Sequence, residues 1–467
     1  MFFVFGVWEG FVNVLDVLAD FTVFKVRPVI VLCKGVSEVE EVFSEVVQFC
    51  VSGVVKEVVK KFLNIPVVGE FVKYLFMGTP RLIPRFRMFS MTLPVDVVEM
   101  LMDDKRVEKI FPDNIVTVQE NVKYTYPITE KIVEVINVRS RKRQKVTTVK
   151  YLFKPLGIDK ARKLRLLGKD VTIAVIDTGV SRVLPGVRDK VVKRENLVEF
   201  EPVDLEGHGT AVASTIAHDY RFVKRIREES FEIEGIAPNV KIIDVKALGY
   251  IFGLGKVSDV IKALEIAVEY GVDIINMSLG VKTLVTNPSL DPFSIVVKEL
   301  DERGIILVSA AGNYGPGEST ITSPGIYEEV ITVGAYDPIT GRVSPFSSRG
   351  PAPGTGLTKP DLVEPGQNLL LPTQGMLDTL SDGLPTIYSP LDGTSFATPI
   401  TTGLIALMME FHKKELGKKL TRVEIMKILE EFKDHEKNNE TGYGVLTFDK
   451  YLKWVETQYG VKPRIEI

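Results

Sequence analysis

Continuous apolar runs alternate with amphipathic stretches from about residue 151 onward. The stretches 257–270 and 292–303 have the apolar spacing that is typical of helices burying one face. Apolar strands that alternate with such helices indicate a mostly parallel sheet covered by helices on both faces, and ligands bind such a sheet at the carboxyl ends of its strands. The pattern therefore predicts an α/β fold here. The strand candidates, rich in β-branched residues, are 171–177, 240–248, 272–279, 304–311 and 329–336.

A smaller α+β unit is predicted ahead of this region. Its apolar positions alternate between the two-residue period of strands and the spacing of helices. A turn is expected at Pro112-Asp113-Asn114, inside the last strand candidate. The strand candidates are 27–33, 86–94 and 107–119, and the helical candidates are 36–49, 53–77 and 94–105.

The stretch between these two regions is polar and charged, and it ends in the basic run Arg139 to Lys145. Such a run is typical of a solvated linker, and it also fits an exposed segment that can be cut. A chain of 467 residues is long enough for more than one domain. The predicted division is an N-terminal apolar segment at 1–21, an α+β domain at 22–120, a linker with a processing site at 121–150, and a large domain at 151–467.

Composition narrows the class of protein. With 45% hydrophobic and 25% charged residues the chain is globular, and a net charge of −3 gives no basic field for nucleic acid. Cys33 and Cys50 are too few for a disulfide scaffold, and whether they pair is left open. Sparse glutamine beside abundant Lys, Arg and Glu favours a heat-adapted source.

The apolar opening 1–21 has no basic flank, and Glu9, Asp16 and Asp20 interrupt it. It is therefore expected to be a packed amphipathic helix rather than a signal peptide or a membrane span. An intracellular location is favoured over a secreted or cell-envelope one.

Asp177 and His208 have neighbours that suit a reactive site. Asp177 ends a strand candidate and precedes Thr178-Gly179, so it is either a turn aspartate or a site carboxylate at a strand end. His208 stands between two glycines, ahead of a helix of small residues, where the backbone can approach closely. The remaining histidines, His218, His412 and His435, are expected at the surface.

Ser395 and Asn313 also allow two interpretations each. Ser395 precedes a helix, so it is either an N-cap or a nucleophile beside the positive end of a helix dipole. Pro399 is expected in the first turn of that helix, where proline is tolerated. Asn313 follows a strand candidate and is either a turn residue or an amide donor to an oxyanion.

Three motifs in this order carry a family resemblance: VIDTGV around Asp177, GHGTAVAS around His208 and GTSFATP around Ser395. Over about 155–455 the chain resembles the subtilisin-like serine proteases. The resemblance implies a subtilisin-like three-layer fold and a serine endopeptidase. It implies that Ser395 is the nucleophile, His208 the general base and Asp177 its orienting carboxylate. Supporting segments are NMSLG (276–280), SAAGN (309–313), FSSRGP (346–351), KPDLVEPG (359–366) and GYGVLTFDKYL (442–452).

The same resemblance implies how the site would bind its substrates. Asn313 and the Ser395 N–H would bind the oxyanion. Polypeptide substrates would add as a strand between Ser278-Leu279-Gly280 and Gly253-Leu254-Gly255.

The N-terminal unit is similar to the ferredoxin-like inhibitory propeptide of this family, and residues 86–119 match best. By this likeness the chain is a self-processing zymogen whose propeptide is its own intramolecular inhibitor. The tail of the propeptide would lie in the substrate groove, and cleavage is expected between about 120 and 150.

Several positions depart from the family pattern. Ala211 replaces a histidine often found after GHGT, and Asp392 and Glu364 replace neutral residues. The stretch 217–238 lacks the Asn-rich loop with which many relatives bind calcium. No cofactor is therefore expected and no metal site is assigned, with calcium left open.

Two alternatives remain at this point. The first is a catalytically silent, protease-like binding module. The second is an aspartic-type protease that uses Asp177, although that chemistry needs two aspartates sharing a proton, and the chain has one Asp-Thr-Gly and no Asp-Ser-Gly.

Overall fold

The computed structural model describes residues 26–51, 81–113, 115–117, 133–137, 142–198, 203–219, 222–226, 229–249, 253–282, 288–373 and 388–462. The predicted segment at 1–21, the helical stretch at 53–77 and much of the linker at 121–150 lie outside these residues. By compactness the chain divides into two units, Met1–Asn114 and Ile115–Ile467. The finer division made from the sequence stays a prediction.

In the residues that the structure describes, the N-terminal unit contains a four-stranded antiparallel sheet and two α-helices. Its strand order is β2-β3-β1-β4, and its described elements occur in the order β-α-β-β-α-β. The ferredoxin-like fold expected for this unit stays a prediction. Alternate residues of β1, such as Val29 and Val31, are buried with Val39 and Val42 of the first helix and Leu101 of the second. The elements are β1 (Val26–Cys33), α1 (Val36–Val51), β2 (Arg81–Ile83), β3 (Met88–Pro94), α2 (Val95–Asp103) and β4 (Val107–Pro112).

The structure divides the predicted strand 107–119 into two strands, at the position where the sequence predicts a turn. β4 ends at Pro112, and β5 (Ile115–Thr117) pairs instead with a strand at Leu254–Lys256 of the larger unit. Proline has no N–H to continue a ladder, so Pro112 is a suitable end for β4.

An eight-stranded sheet forms the centre of the larger unit. Its order is β17-β16-β15-β14-β8-β12-β9, and β18 pairs with β16. The pairs are parallel except β16 with β17. The strands are β8 (Thr172–Asp177), β9 (Val191–Asn196), β12 (Lys241–Lys246), β14 (Ile274–Met277), β15 (Ile306–Ala310), β16 (Val330–Asp337), β17 (Arg342–Val343) and β18 (Leu362–Pro365).

Helices and short two-stranded ladders surround this sheet. The ladders pair β6 with β7, β10 with β11, β13 with β5, and β19 with β20. Their strands are β6 (Val133–Asn137), β7 (Lys142–Val146), β10 (Phe222–Ile226), β11 (Glu229–Ile233), β13 (Leu254–Lys256), β19 (Leu369–Pro372) and β20 (Tyr388–Leu391). The helices are α3 (Ile158–Lys163), α4 (His208–Ala217), α5 (Val257–Glu269), α6 (Phe293–Glu302), α7 (Thr394–Leu416), α8 (Arg422–Glu431) and α9 (Phe448–Tyr459).

The mostly parallel α/β architecture predicted from the sequence is confirmed. Each of the five strand candidates after residue 151 contains one strand of the central sheet, and both helical candidates are helices. The pattern missed β9 because this strand, with only β12 beside it, is half exposed and mixes valines with charged residues. An apolar run is a signal of strands buried on both faces, and β9 is not one of them.

The helix α7 passes through the core and carries Ser395 in its first turn. It packs against α4, β14, β15, β16 and β18, and it is buried along most of its length.

Within the described ranges, no helix has both the length and the apolar composition needed to cross a bilayer.

The surface location predicted for His218 and His412 is wrong, since both are buried. His412 lies on α7, and its ring stacks on Trp454 with centroids 6.1 Å apart. Its Nδ1 is 2.7 Å from the Tyr451 hydroxyl, which donates to the Met408 carbonyl. The lysines that follow His412 in the sequence favoured a surface position, but the position of α7 inside the fold determines the burial.

Candidate active site

Asp177 and His208 form a hydrogen-bonded pair at the carboxyl end of β8. His208 Nδ1 lies 2.7 Å from Asp177 Oδ1, and the Thr178 N–H donates to the same oxygen at 2.7 Å. Asp177 is fully buried and His208 is 6% exposed. With Nδ1 as the donor in this contact, Nε2 of the neutral ring is the basic nitrogen. The pair therefore holds the imidazole in the tautomer that a general base requires.

Glycines let the helix of His208 approach the turn after Asp177. Gly207 precedes α4 with a φ of +87°, a left-handed conformation that favours glycine. A Cβ on Gly209 would lie 2.2 Å from the Gly179 carbonyl oxygen. Of the two glycines around His208, Gly209 is thus required by the close approach and Gly207 is favoured by its left-handed conformation.

Ser395 is the second residue of α7 and is joined to Ser278 twice. The Ser395 hydroxyl donates to the Ser278 carbonyl at 2.9 Å, and the Ser278 hydroxyl donates to the Ser395 carbonyl at 2.7 Å. The expected position of Pro399 in the first turn is wrong, since it is the sixth residue of the helix. Its missing N–H is the one that would bond the Ser395 carbonyl in a regular helix, and Ser278 supplies a donor in its place.

Phe396 connects the segment of Ser395 to His208. Its ring lies beside the His208 ring, with centroids 5.3 Å apart. Because Phe396 follows Ser395 directly, the structure places the predicted base next to the segment that carries the predicted nucleophile.

Asn313 follows β15, and its side-chain orientation is fixed by Thr394. The Asn313 Oδ1 accepts from the Thr394 N–H at 3.0 Å and from the Thr394 hydroxyl at 2.8 Å. A backbone N–H can only donate, so the atom that faces it must be the oxygen and not the nitrogen of the amide. The NH₂ group is therefore directed away from Thr394, as a donor to another oxygen must be.

Both predicted substrate edges fall between His208 and Asn313 in the sequence, and the structure describes each. β13 contains Leu254 and Gly255, and β5 pairs with it antiparallel, Val116 opposite Gly255. A Cβ on Gly255 would lie 2.5 Å from the Ala247 carbonyl, so glycine is required for β13 to pack here. The other edge, Ser278-Leu279-Gly280, directly follows β14 and reaches Ser395 through Ser278. The binding role of both edges stays a prediction.

Buried charges surround the turn after Asp177. The Lys246 ammonium donates to the Thr178 carbonyl at 2.6 Å. Burial raises the pKa of Asp244 to about 7, and Arg194 opposes this rise with a 2.7 Å ion pair. The Val180 N–H also donates to Asp244. The turn is thus held by contacts from two neighbouring strands, β9 and β12.

The two acidic departures from the family pattern have local hydrogen-bonding roles. Asp392 Oδ1 accepts from the Asn368 N–H at 2.6 Å, close to the start of α7. Glu364 Oε1 accepts from the Leu446 N–H at 3.0 Å, and burial raises its pKa well above the usual range. Asp392 thus joins the segment before α7 to the segment before β19, and Glu364 joins β18 to the segment of Leu446.

The structure also shows a residue that the sequence pattern missed. Asp204, 1% exposed, accepts four hydrogen bonds from residues that flank Asp177 and His208. In the sequence Asp204 is an acidic residue shortly before a helix of small residues. Such a residue is common at helix N-termini and does not by itself indicate a site.

Among the described residues no group of three or more His, Cys, Asp or Glu side chains is placed to hold a metal ion. The partners of Asp177 Oδ1 are an amide and an imidazole rather than a second carboxylate, which is evidence against the aspartic-type alternative.

Comparison with known proteins identifies relatives over this region. The profile of the subtilase family matches residues 168–444, a range that contains Asp177, His208, Asn313 and Ser395. The serine protease AprX of Bacillus subtilis is 36% identical over 265 residues, 52% of this chain and 58% of that protein. The major intracellular serine protease of B. subtilis is 32% identical over 268 residues, 55% of this chain and 74% of that protein. Subtilisin Savinase of Lederbergia lenta is 33% identical over 297 residues, 62% of this chain and 92% of that protein.

Proposed function

This chain belongs to the subtilase family of serine proteases, and on that premise we propose that it is an endopeptidase that cleaves polypeptides through an acyl-enzyme on Ser395 and is made as a self-processing zymogen. The 2.7 Å contact between His208 Nδ1 and Asp177 Oδ1 carries this proposal, because it prepares the other ring nitrogen to accept a proton.

In the proposed reaction the Ser395 oxygen attacks the scissile carbonyl while His208 Nε2 takes its proton. His208 then gives that proton to the leaving amine, and water repeats the cycle on the ester to release the acid. Asp177 stabilises the imidazolium that forms in both steps. The Ser395 hydroxyl must first leave the Ser278 carbonyl, to which it donates in the structure.

The developing oxyanion needs donors placed before the reaction starts. The orientation of Asn313 supports it in this role, since Thr394 donates to the amide oxygen and the NH₂ group, the donor that an oxyanion needs, is directed away from Thr394. Ser395 also lies in the first turn of α7, where backbone N–H groups are not used by the helix.

Substrate binding at β13 is supported by the ladder with β5. Three residues of β5 pair with Leu254–Lys256, so this edge accepts an extended main chain in antiparallel register. Peptides that add as a strand gain affinity from main-chain hydrogen bonds. We propose that substrates use the same edge and that Ile115–Thr117 belongs to the propeptide tail that occupies it beforehand.

Buried contacts of the large unit support a proposed range for the processing site. Val146, Thr147 and Val149 are buried, and the Thr147 N–H donates to the Asn368 carbonyl. The Lys150 ammonium is 2.6 Å from Glu234. Cleavage on the C-terminal side of Val146 would remove one or more of these buried residues, so we propose that the cut falls between Thr117 and Val146.

The mass of the purified full-length chain, followed over time, tests this proposal. Wild type is expected to lose an N-terminal segment that ends between 117 and 146, whereas Ser395→Ala stays at full length. Equal shortening of both chains would show that another protease makes the cut.

The silent binding module remains a second candidate because the Ser395 hydroxyl donates to Ser278 in the structure. If wild type stays at full length and hydrolyses no peptide, this candidate is favoured. Metal is not part of the proposed chemistry, and we propose that catalysis needs no cofactor.

A further inference from the structure

The helix of His208 begins without a capping side chain of its own. Its N-cap is Gly207, and no side chain at this position accepts from the helix. The first N–H groups of a helix nevertheless need acceptors when they are buried. Here the acceptors come from elsewhere in the chain. The Gly209 N–H donates to the Thr178 hydroxyl at 2.8 Å, and the Thr210 N–H donates to Asp204 at 3.0 Å.

Asp204 receives two hydrogen bonds on each carboxylate oxygen. Oδ1 accepts from the Thr178 hydroxyl at 2.9 Å and from the Gly207 N–H at 2.8 Å. Oδ2 accepts from the Thr210 N–H at 3.0 Å and from the Thr210 hydroxyl at 2.6 Å. The carboxylate is therefore saturated, since it has about four acceptor positions.

The donors lie on both flanks of the Asp177–His208 pair. Thr178 directly follows Asp177, and Gly207 directly precedes His208. Thr210 extends the connection, because its hydroxyl also accepts from the Ser181 N–H at 2.9 Å. One buried side chain thus connects the turn that carries the acid to the helix that carries the base.

Building on the proposed function, we propose that Asp204 is a positioning residue that holds His208 at hydrogen-bonding distance from Asp177 by joining the two segments that carry them. The four hydrogen bonds of Asp204 come from Thr178, Gly207 and Thr210 rather than from the imidazole, so its effect on catalysis passes through the geometry of the pair.

An asparagine cannot replace this carboxylate. Each oxygen of Asp204 faces one backbone N–H, from Gly207 or from Thr210. In Asp204→Asn the NH₂ group must face one of these two donors, whichever way the amide turns, and that hydrogen bond is lost. Burial raises the pKa of Asp204, and the hydrogen bonds from Thr210 and Gly207 together with the charge of Lys246 oppose the rise.

The rate at which a fluorophosphonate labels Ser395 across pH tests the proposal in the full-length chain. This small probe reports on the base without requiring the substrate groove. We expect Asp204→Asn to label at least about tenfold more slowly than wild type, the effect of roughly 1.4 kcal/mol on a barrier. The midpoint of its pH profile should fall, because a looser Asp177 stabilises the imidazolium less.

Asp189→Asn is the matched control, since Asp189 is exposed and pairs only with its neighbour Arg188 among the described residues. It should label like wild type. An Asp204→Asn chain with the rate and midpoint of wild type would overturn the proposal. If that variant does not fold, Thr178→Val carries the test, because at nearly constant volume it removes the hydroxyl that donates to Asp204 and accepts from the Gly209 N–H. Its labelling should slow, and Thr178→Ser should restore it; a wild-type rate in Thr178→Val would equally refute the role of Asp204. A wild-type chain that does not label contradicts the proposed function itself.

Discussion

Ser278 and Ser395 exchange hydrogen bonds, each hydroxyl donating to the main-chain carbonyl of the other, at 2.7 and 2.9 Å. The exchange exists because Pro399 has no N–H for the Ser395 carbonyl. Asn276 extends it, since its amide donates to the Ser278 hydroxyl at 3.0 Å and accepts from Thr402 at 2.9 Å. The start of α7 is in this way fixed to the end of β14, where one predicted substrate edge begins.

Ser278→Ala should therefore weaken both the fold and the site. It leaves the Ser395 carbonyl without its donor in a buried position, which typically costs about 1–3 kcal/mol. We expect a lower thermal midpoint and slower peptide hydrolysis. Ser289→Ala, at an exposed position, is the control. An unchanged midpoint in Ser278→Ala would mean that this bond contributes little.

Asn313→Ala should lower kcat far more than it changes KM. The oxyanion forms only as the substrate reacts, so its donor stabilises the transition state and not the bound peptide. The loss of one such donor typically costs about 10²–10³ in kcat. Steady-state kinetics on a chromogenic peptide measure this, with the exposed Asn239→Ala as the control. A rise in KM at constant kcat would assign Asn313 to substrate binding instead.

The burial of His412 predicts a loss of stability in mild acid. Burial lowers its pKa from 6.5 to about 4, so between these values the unfolded chain binds a proton that the folded chain does not. The free energy of unfolding should then fall as pH falls from about 6.5 to 4, by at most about 1.4 kcal/mol per pH unit.

His412→Phe separates this effect from other titrations because it keeps a ring against Trp454. We expect wild type to be the more stable chain at neutral pH and its advantage to shrink near pH 5, as measured by denaturant unfolding. A constant difference between the two chains across this range would show that His412 does not titrate in this way.

A chelator should leave activity unchanged, because a Ser-His-Asp site with amide donors generates its nucleophile without a metal. Peptide hydrolysis before and after dialysis against EDTA measures this. Loss of activity that calcium alone restores would show that the protein has a calcium site on which its activity depends.

The sequence predicted the structure best where a residue type has a single structural role. Apolar runs located the five inner strands, and glycines on both sides of His208 signalled the close approach that the structure requires. Asp204 could not be found in this way, because its partners Thr178 and Thr210 are brought to it only by folding. The same holds for Ser278, whose bond depends on a proline more than a hundred positions later. His412 was misassigned because charged neighbours along the chain do not report which helix enters the core.

The central claim is that Ser395 is the nucleophile. It is tested most directly by identifying the residue that an activity-based probe modifies covalently. Wild type treated with a fluorophosphonate should gain one adduct, and peptide mapping should place it on Ser395, while Ser395→Ala gains none. An adduct on another residue, or equal labelling of both chains, would contradict the assignment of Ser395 as the nucleophile.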